Sequence, residues 1–119
     1  MKIIPATAEL FGEFYGDLPF SVPTMRAYFL VIDDKPVGIC GFVRRSKYEM
    51  VVFTEAKDGV LENNKLSVMK FAKAMLKIAD LNKWTLIANR DESISTSAFF
   101  LAYLGFELDE DGEYVRWAP

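Results

Sequence analysis

Residues 65–81 form the longest run at helical period in this chain, and β-patterned runs lie on both sides of it. Leu66, Met69, Ala72, Leu76 and Ala79, flanked by Val68, Phe71, Met75 and Ile78, make a wide apolar face of the kind that packs on a sheet. A helix joining two strands of one sheet returns the second strand parallel to the first. Residues 48–54 and 85–89 are therefore expected to be parallel neighbours.

The remaining pattern fills in around that crossover. Residues 2–6 alternate as a first strand, and Thr7 is placed to cap a helix over residues 8–15, where Phe11, Phe14 and Tyr15 recur at helical spacing. Gly16, Pro19 and Pro23 mark a loop. Aromatic and β-branched residues over 26–32, a turn at 33–36 and a second run over 37–43 predict a hairpin, with the strand 48–54 following as a third antiparallel member. Residues 55–64 are polar and contain Asp58-Gly59, and are expected to be a loop. Residues 95–104 read as an apolar helix stopped by Gly105, and 106–117 as a closing hairpin turning at Asp111-Gly112.

The chain has 119 residues, the size of one domain, and its 51% hydrophobic content is enough for a core. A net charge of −3 disfavours the broad basic face that generic nucleic-acid binding needs. A single cysteine permits neither an internal disulfide nor a multi-cysteine metal site, and fits a reducing compartment. No run reaches the ~20 apolar residues that span a bilayer, and the first residues lack a signal-peptide pattern, so the expected location is cytoplasmic. Histidine is absent, which removes Ser/His and Cys/His nucleophile pairs and His-containing zinc sites. Acid or base chemistry falls to Glu, Asp, Tyr, Lys, water or backbone, and no metal site is expected.

The stretch from Ser97 to Phe106, ending in Leu104-Gly105-Phe106, and the later Glu113-Tyr114-Val115-Arg116-Trp117 resemble the C-terminal half of the GNAT superfamily of acyl-CoA N-acyltransferases. The order of elements is similar over nearly the whole chain. The resemblance implies a single α/β domain over residues 1–119, with a mixed, mainly antiparallel sheet flanked by helices. It also implies acetyl-CoA as cofactor, in a split between the strands 48–54 and 85–89. Backbone of Val51, Val52, Phe53 and Thr54 would align it, Asn64, Lys65 and Ser67 at a helix start would meet its pyrophosphate, and Asn89 and Ser93 would contact its pantetheine. Glu49 or Glu55 would assist deprotonation of an amine, carried by a small molecule or a protein.

Two departures from that family stand in the sequence. Where it keeps Arg or Gln, two residues, Gly, one residue, Gly or Ala, this chain has Asn64-Lys65-Leu66-Ser67-Val68-Met69, so the glycines that let backbone approach phosphate are absent. Where many members place a Tyr that protonates the leaving thiolate, this chain has Leu101, and Tyr103 lies about 160° around a helix from it. Both departures are similar to those of small phage-encoded GNAT-like proteins found in virions. A catalytically silent module, a virion component or a binder of a host protein, is the alternative function, with a virion location in that case. The oligomeric state is undecided.

Each candidate also has a structural account. Glu49 and Glu55 read as solvated strand-end carboxylates, Asn63 and Asn64 as helix caps, Ser93 or Ser95 as a cap, and Lys70, Lys73 and Lys77 as the wet face of the long helix. Cys40, with no histidine to activate it, reads as a small core residue.

Overall fold

The computed structural model describes residues 1–16, 25–88, 101–102 and 104–119. Seven strands follow the sheet order β1-β2-β3-β4-β5-β7-β6. The strands are β1 (Lys2–Pro5), β2 (Arg26–Ile32), β3 (Lys35–Arg44), β4 (Glu49–Ala56), β5 (Thr85–Ala88), β6 (Glu107–Leu108) and β7 (Tyr114–Arg116). Helices α1 (Ala8–Tyr15), α2 (Val60–Asn63) and α3 (Lys65–Leu81) complete the described elements. The β4–β5 pair is parallel, whereas β1–β2, β2–β3, β5–β7 and β6–β7 are antiparallel, so the sheet is mixed and mainly antiparallel as expected. Two compact units make up the chain, Met1–Phe42 with Thr54–Phe71 and Val43–Phe53 with Ala72–Pro119.

In the first unit, α1 starts where the sequence placed it. Thr7 has extended backbone and its Oγ1 accepts the Leu10 N–H at 3.2 Å, which satisfies one of the orphan donors of the first turn. Phe11 and Phe14, one helical turn apart, are both buried and meet Phe29 of β2 edge-on, with ring centroids 5.3 and 5.6 Å away. Lys57 Nζ donates to the Phe14 carbonyl and stands 4.4 Å from the Phe14 ring centroid, so a cation closes the helix at its negative end.

The β2–β3 hairpin turns on two residues, Asp33 and Asp34, both at positive φ (52° and 63°) as a primed turn requires. The expected four-residue turn at 33–36 is therefore too long, and Lys35 and Pro36 belong to β3. The ladder register shifts between Leu30 and Val31, beside Pro36, which has no N–H to donate. A second difference lies after β4. The expected loop over 55–64 holds the last two residues of β4 and the short helix α2, which Gly59 enters at φ 81° and which buries Val60. Its four residues are too few for a periodicity to be legible.

Helix α3 spans the expected residues, but the apolar face differs. Phe71, Met75 and Ala79, at i, i+4 and i+8, are the buried stripe, whereas Leu66 is 79% exposed. Leu66 is five residues from Phe71, about 140° around the helix from the stripe. Lys70, Lys73 and Lys77 are solvated.

The second unit packs Met50, Met75, Trp84, Leu86, Ile87, Phe106 and Val115 in its core. All four residues of β5 are buried, as expected of a strand with a parallel neighbour and partners on both edges. Two helix ends here have the same geometry. Gly105 at φ 92° ends a helical turn with the bonds Phe106 N–H to Leu101 O and Gly105 N–H to Ala102 O. Lys83 at φ 56° ends α3 with Trp84 N–H to Ala79 O and Lys83 N–H to Asp80 O.

Only the first of these ends uses the residue that suits a left-handed conformation. Gly105→Ala is expected to cost about 1–2 kcal/mol, and Lys83→Gly to gain about 0.5 kcal/mol, in urea denaturation. Equal and small effects at both positions would show that the left-handed caps carry no strain.

Candidate functional site

The expected parallel neighbours are adjacent. Their register runs from Glu49↔Thr85 to Val52↔Ala88, and the Thr85 N–H also donates to the Tyr48 carbonyl at 2.8 Å. Tyr48 precedes β4, and the strand runs on to Ala56, four residues beyond its last described pair with β5. Val51, Val52 and Phe53 are half-buried and Thr54 is exposed. Asn89, Ser93, Ser95 and Tyr103, most of the expected helix over 95–104 and the expected loop beyond Gly16 lie outside the described residues.

In the first unit, Asn64 joins α2 to α3. Its N–H bonds to the Val60 carbonyl and its own carbonyl accepts the Val68 N–H, both at 2.9 Å. Those two bonds occupy the Asn64 backbone. The amides of Lys65, Leu66 and Ser67 are the first three of α3, N–H groups that the helix cannot satisfy from within itself. No acidic residue lies in that first turn, and its first residue is Lys65. A positive dipole end with an added cation and no carboxylate is a match for an anion such as pyrophosphate. Ser67 and Met69 are half-buried, and Met69 leaves the turn bulkier than a glycine would.

Glu49 and Glu55 stand six residues apart on β4, about 20 Å at strand rise. Glu49, the first residue of β4, closes the turn before the strand, with its Oε1 accepting the Ser46 hydroxyl at 2.8 Å and its carbonyl accepting the Arg45 and Ser46 N–H groups. Glu55 is exposed at the other end, near the Tyr15 hydroxyl. Partial burial first, then hydrogen bonding and charge from the Glu55 carboxylate, raise the Tyr15 pKa above the ordinary phenol range. Tyr15 itself is held by Phe14, edge-on at 4.7 Å, and by Phe11, stacked at 6.1 Å. Sequence reasoning missed the proximity of Tyr15 and Glu55. Its only local cue is the helical spacing of Phe11 and Tyr15, which does not name a partner on a distant strand.

Cys40 is buried, which pushes its thiol up to about 12 and keeps it from acting as a nucleophile. In the closing hairpin, Asp109, Asp111 and Glu113 bring carboxylate oxygens within 4.8 Å of one another. Asp109 Oδ1 there accepts the N–H groups of Asp111 and Glu113, which is turn chemistry. Leu101 is half-buried, and its carbonyl takes the N–H groups of Leu104 and Phe106.

No protein-family model and no curated protein sequence matches the chain. Among solved structures, an acetyltransferase of the GNAT family from Staphylococcus aureus Mu50 superposes with a TM-score of 0.69 at 11% identity, over 99% of each chain. A GNAT family acetyltransferase from Elizabethkingia anophelis, with acetyl-CoA bound, superposes with a TM-score of 0.64 at 13% identity, over 92% of this chain and 77% of that one. The chain has the GNAT fold. At these identities the likeness is one of backbone. Among the described residues no helix is long and apolar enough to cross a membrane.

Proposed function

We propose that this GNAT-fold protein transfers an acyl group from acyl-CoA, acetyl-CoA foremost, to an amine of a small molecule or protein. The observation that carries the reading is the start of α3, whose first-turn amides, with Lys65 and no acidic residue in that turn, make an anion-seeking helix end. The parallel β4–β5 pair supports it, as does the acetyl-CoA bound by the Elizabethkingia protein. Acetyl-CoA, when bound, supplies an activated thioester carbonyl. Lys65 and the amides through Ser67 would hold the pyrophosphate, and the backbone of Val51 to Thr54 together with Asn89 and Ser93 would contact the pantetheine. Of the two carboxylates, Glu55 is assigned to take the amine proton, because Glu49 is engaged in a turn at the opposite end of β4. Leu101 has no proton to give, so the proton for the leaving thiolate would come from solvent.

The same Leu101, with Ser67 and Met69 in place of glycines, favours a second reading as a catalytically silent binding module of this fold. Calorimetric titration with acetyl-CoA separates the two. The enzyme reading expects a Kd on the order of 10 μM, and an affinity at least about tenfold weaker in Ser67→Glu, where a carboxylate meets the pyrophosphate. No heat at about 1 mM acetyl-CoA selects the module. Unchanged affinity in Ser67→Glu removes the α3 start from the binding role.

A further inference from the structure

In the first unit one carboxylate stands without a cation, although a lysine lies two residues further along the chain. Lys57 carries the β4 ladder past its last residue, its N–H bonding the Val37 carbonyl at 2.9 Å, so Glu55 and Lys57 lie on the same side of the sheet. That is the side on which α1 ends, because Lys57 Nζ donates to the Phe14 carbonyl and stands 4.4 Å from the Phe14 ring centroid. Both contacts draw the ammonium to α1. Glu55 stays exposed, and among the described residues it is in no ion pair.

Tyr15 follows Phe14 at the end of α1 and lies near that carboxylate. Its ring is fixed from two directions, by Phe14 edge-on at 4.7 Å and by Phe11 stacked at 6.1 Å, and the residue is still 37% exposed. The phenol keeps its proton at neutral pH, since burial and then Glu55 itself favour the neutral form, so toward a carboxylate it acts as a donor. An ionised carboxylate accepts about four hydrogen bonds, and a single phenol uses one of them. The rest are open to a donor from outside. With Lys57 two residues away the local field is close to neutral, so a ligand is selected by the bonds it donates to a free carboxylate, and those are strongest from an ammonium.

We propose that Tyr15 is the positioning residue of the acceptor seat: its hydroxyl holds one oxygen of the Glu55 carboxylate, and the other oxygen receives the ammonium of an alkylamine whose stem lies along the exposed part of the Tyr15 ring. The inference rests on the acyl-transfer reading and adds to it the class of acceptor, an amine that arrives charged and is bound by that charge before it gives up a proton to Glu55. Lys57, tied to α1, does not compete for the seat. An alcohol of the same shape has no charge-assisted bond to offer and is disfavoured.

Isotope-labelled full chain, titrated with butylammonium chloride and with butanol as its uncharged counterpart, tests the seat in the absence of acetyl-CoA. Butylammonium is expected to shift the Glu55 side-chain and Tyr15 ring resonances with a Kd on the order of 10 mM, and butanol to leave them unmoved. Glu55→Gln should abolish the response. Tyr15→Phe keeps the ring and its contacts with Phe11 and Phe14, so the thermal midpoint should hold while the amine affinity falls about tenfold. In acetyl transfer to butylamine the same variant should raise the amine KM about tenfold and leave the acetyl-CoA KM unchanged, a split that a merely structural role would not produce. Unaltered amine affinity in Tyr15→Phe, an equal response to butanol, or a parallel loss of acetyl-CoA affinity would overturn the proposal. Charge-selective binding that Glu55→Gln abolishes and Tyr15→Phe weakens, in a native chain that transfers no acetyl group, sustains the seat and overturns acyl transfer instead.

Discussion

Phe29→Ala is expected to lower the unfolding free energy by about 3–5 kcal/mol, enough to leave much of the chain unfolded at 37 °C. The ring is fully buried in mid-strand and receives two aromatic edges from α1, those of Phe11 and Phe14. Truncation removes the transferred apolar area, leaves a cavity, and takes away two ring–ring contacts worth about 0.5–1.5 kcal/mol each beyond their area. Because α1 is only eight residues long, it depends on this packing rather than on its own propensity. Loss of the α1 cluster should therefore appear in hydrogen exchange as early opening of residues 8–15, with β5 still protected. The smaller change Phe29→Leu should cost about 1–2 kcal/mol. A loss below about 1 kcal/mol in Phe29→Ala would mean that α1 does not draw its stability from this ring.

Arg116→Ala is the second large effect, with an expected loss of about 2 kcal/mol. Its guanidinium makes two parallel bonds to Asp80, at 2.7 and 3.1 Å, and a third from Nε to the Leu104 carbonyl at 3.2 Å. One side chain thus ties β7 to the end of α3 and to the turn that Gly105 closes. The magnitude stays modest because the Asp80 side chain is 39% exposed and water screens the pair.

The pair also carries a pH signature. Hydrogen bonding from Arg116 holds the Asp80 carboxyl below its usual range; partial burial opposes this, and the guanidinium charge adds to it. With the folded-state pKa below the unfolded one, the stabilisation is fully present above the unfolded value, about 3.9, and disappears as pH falls through the lower folded value. The stability difference between the native chain and Arg116→Ala should be flat around neutral pH and shrink below about pH 4. A difference that persists unchanged in acid would show that Arg116 acts through the Leu104 carbonyl alone.

The elements that could be read in advance are those whose signal is carried by neighbouring residues. Thr7 before a helical repeat placed the start of α1, and the 3.6-residue period placed both ends of α3. The β-turn and helix-cap geometries at Gly105 and Gly112 follow from the one residue type that accepts positive φ without strain. Errors arose where the local signal was short or ambiguous. Four residues of α2 give no period, and a wide apolar face on α3 did not distinguish the stripe of Phe71, Met75 and Ala79 from exposed Leu66. Which of several apolar rows is buried depends on the surface that the helix meets, and that surface comes from other parts of the chain.

For function the division is sharper. The absence of histidine, the missing glycines at Ser67 and Met69, and Leu101 were plain from the residues, because they concern which chemical groups exist. Only the tertiary structure separated Glu49 from Glu55, giving one to a turn and setting the other near Tyr15. Side chains tens of residues apart become neighbours through strand order and register, and that information is held by the folded backbone rather than by any local run of sequence.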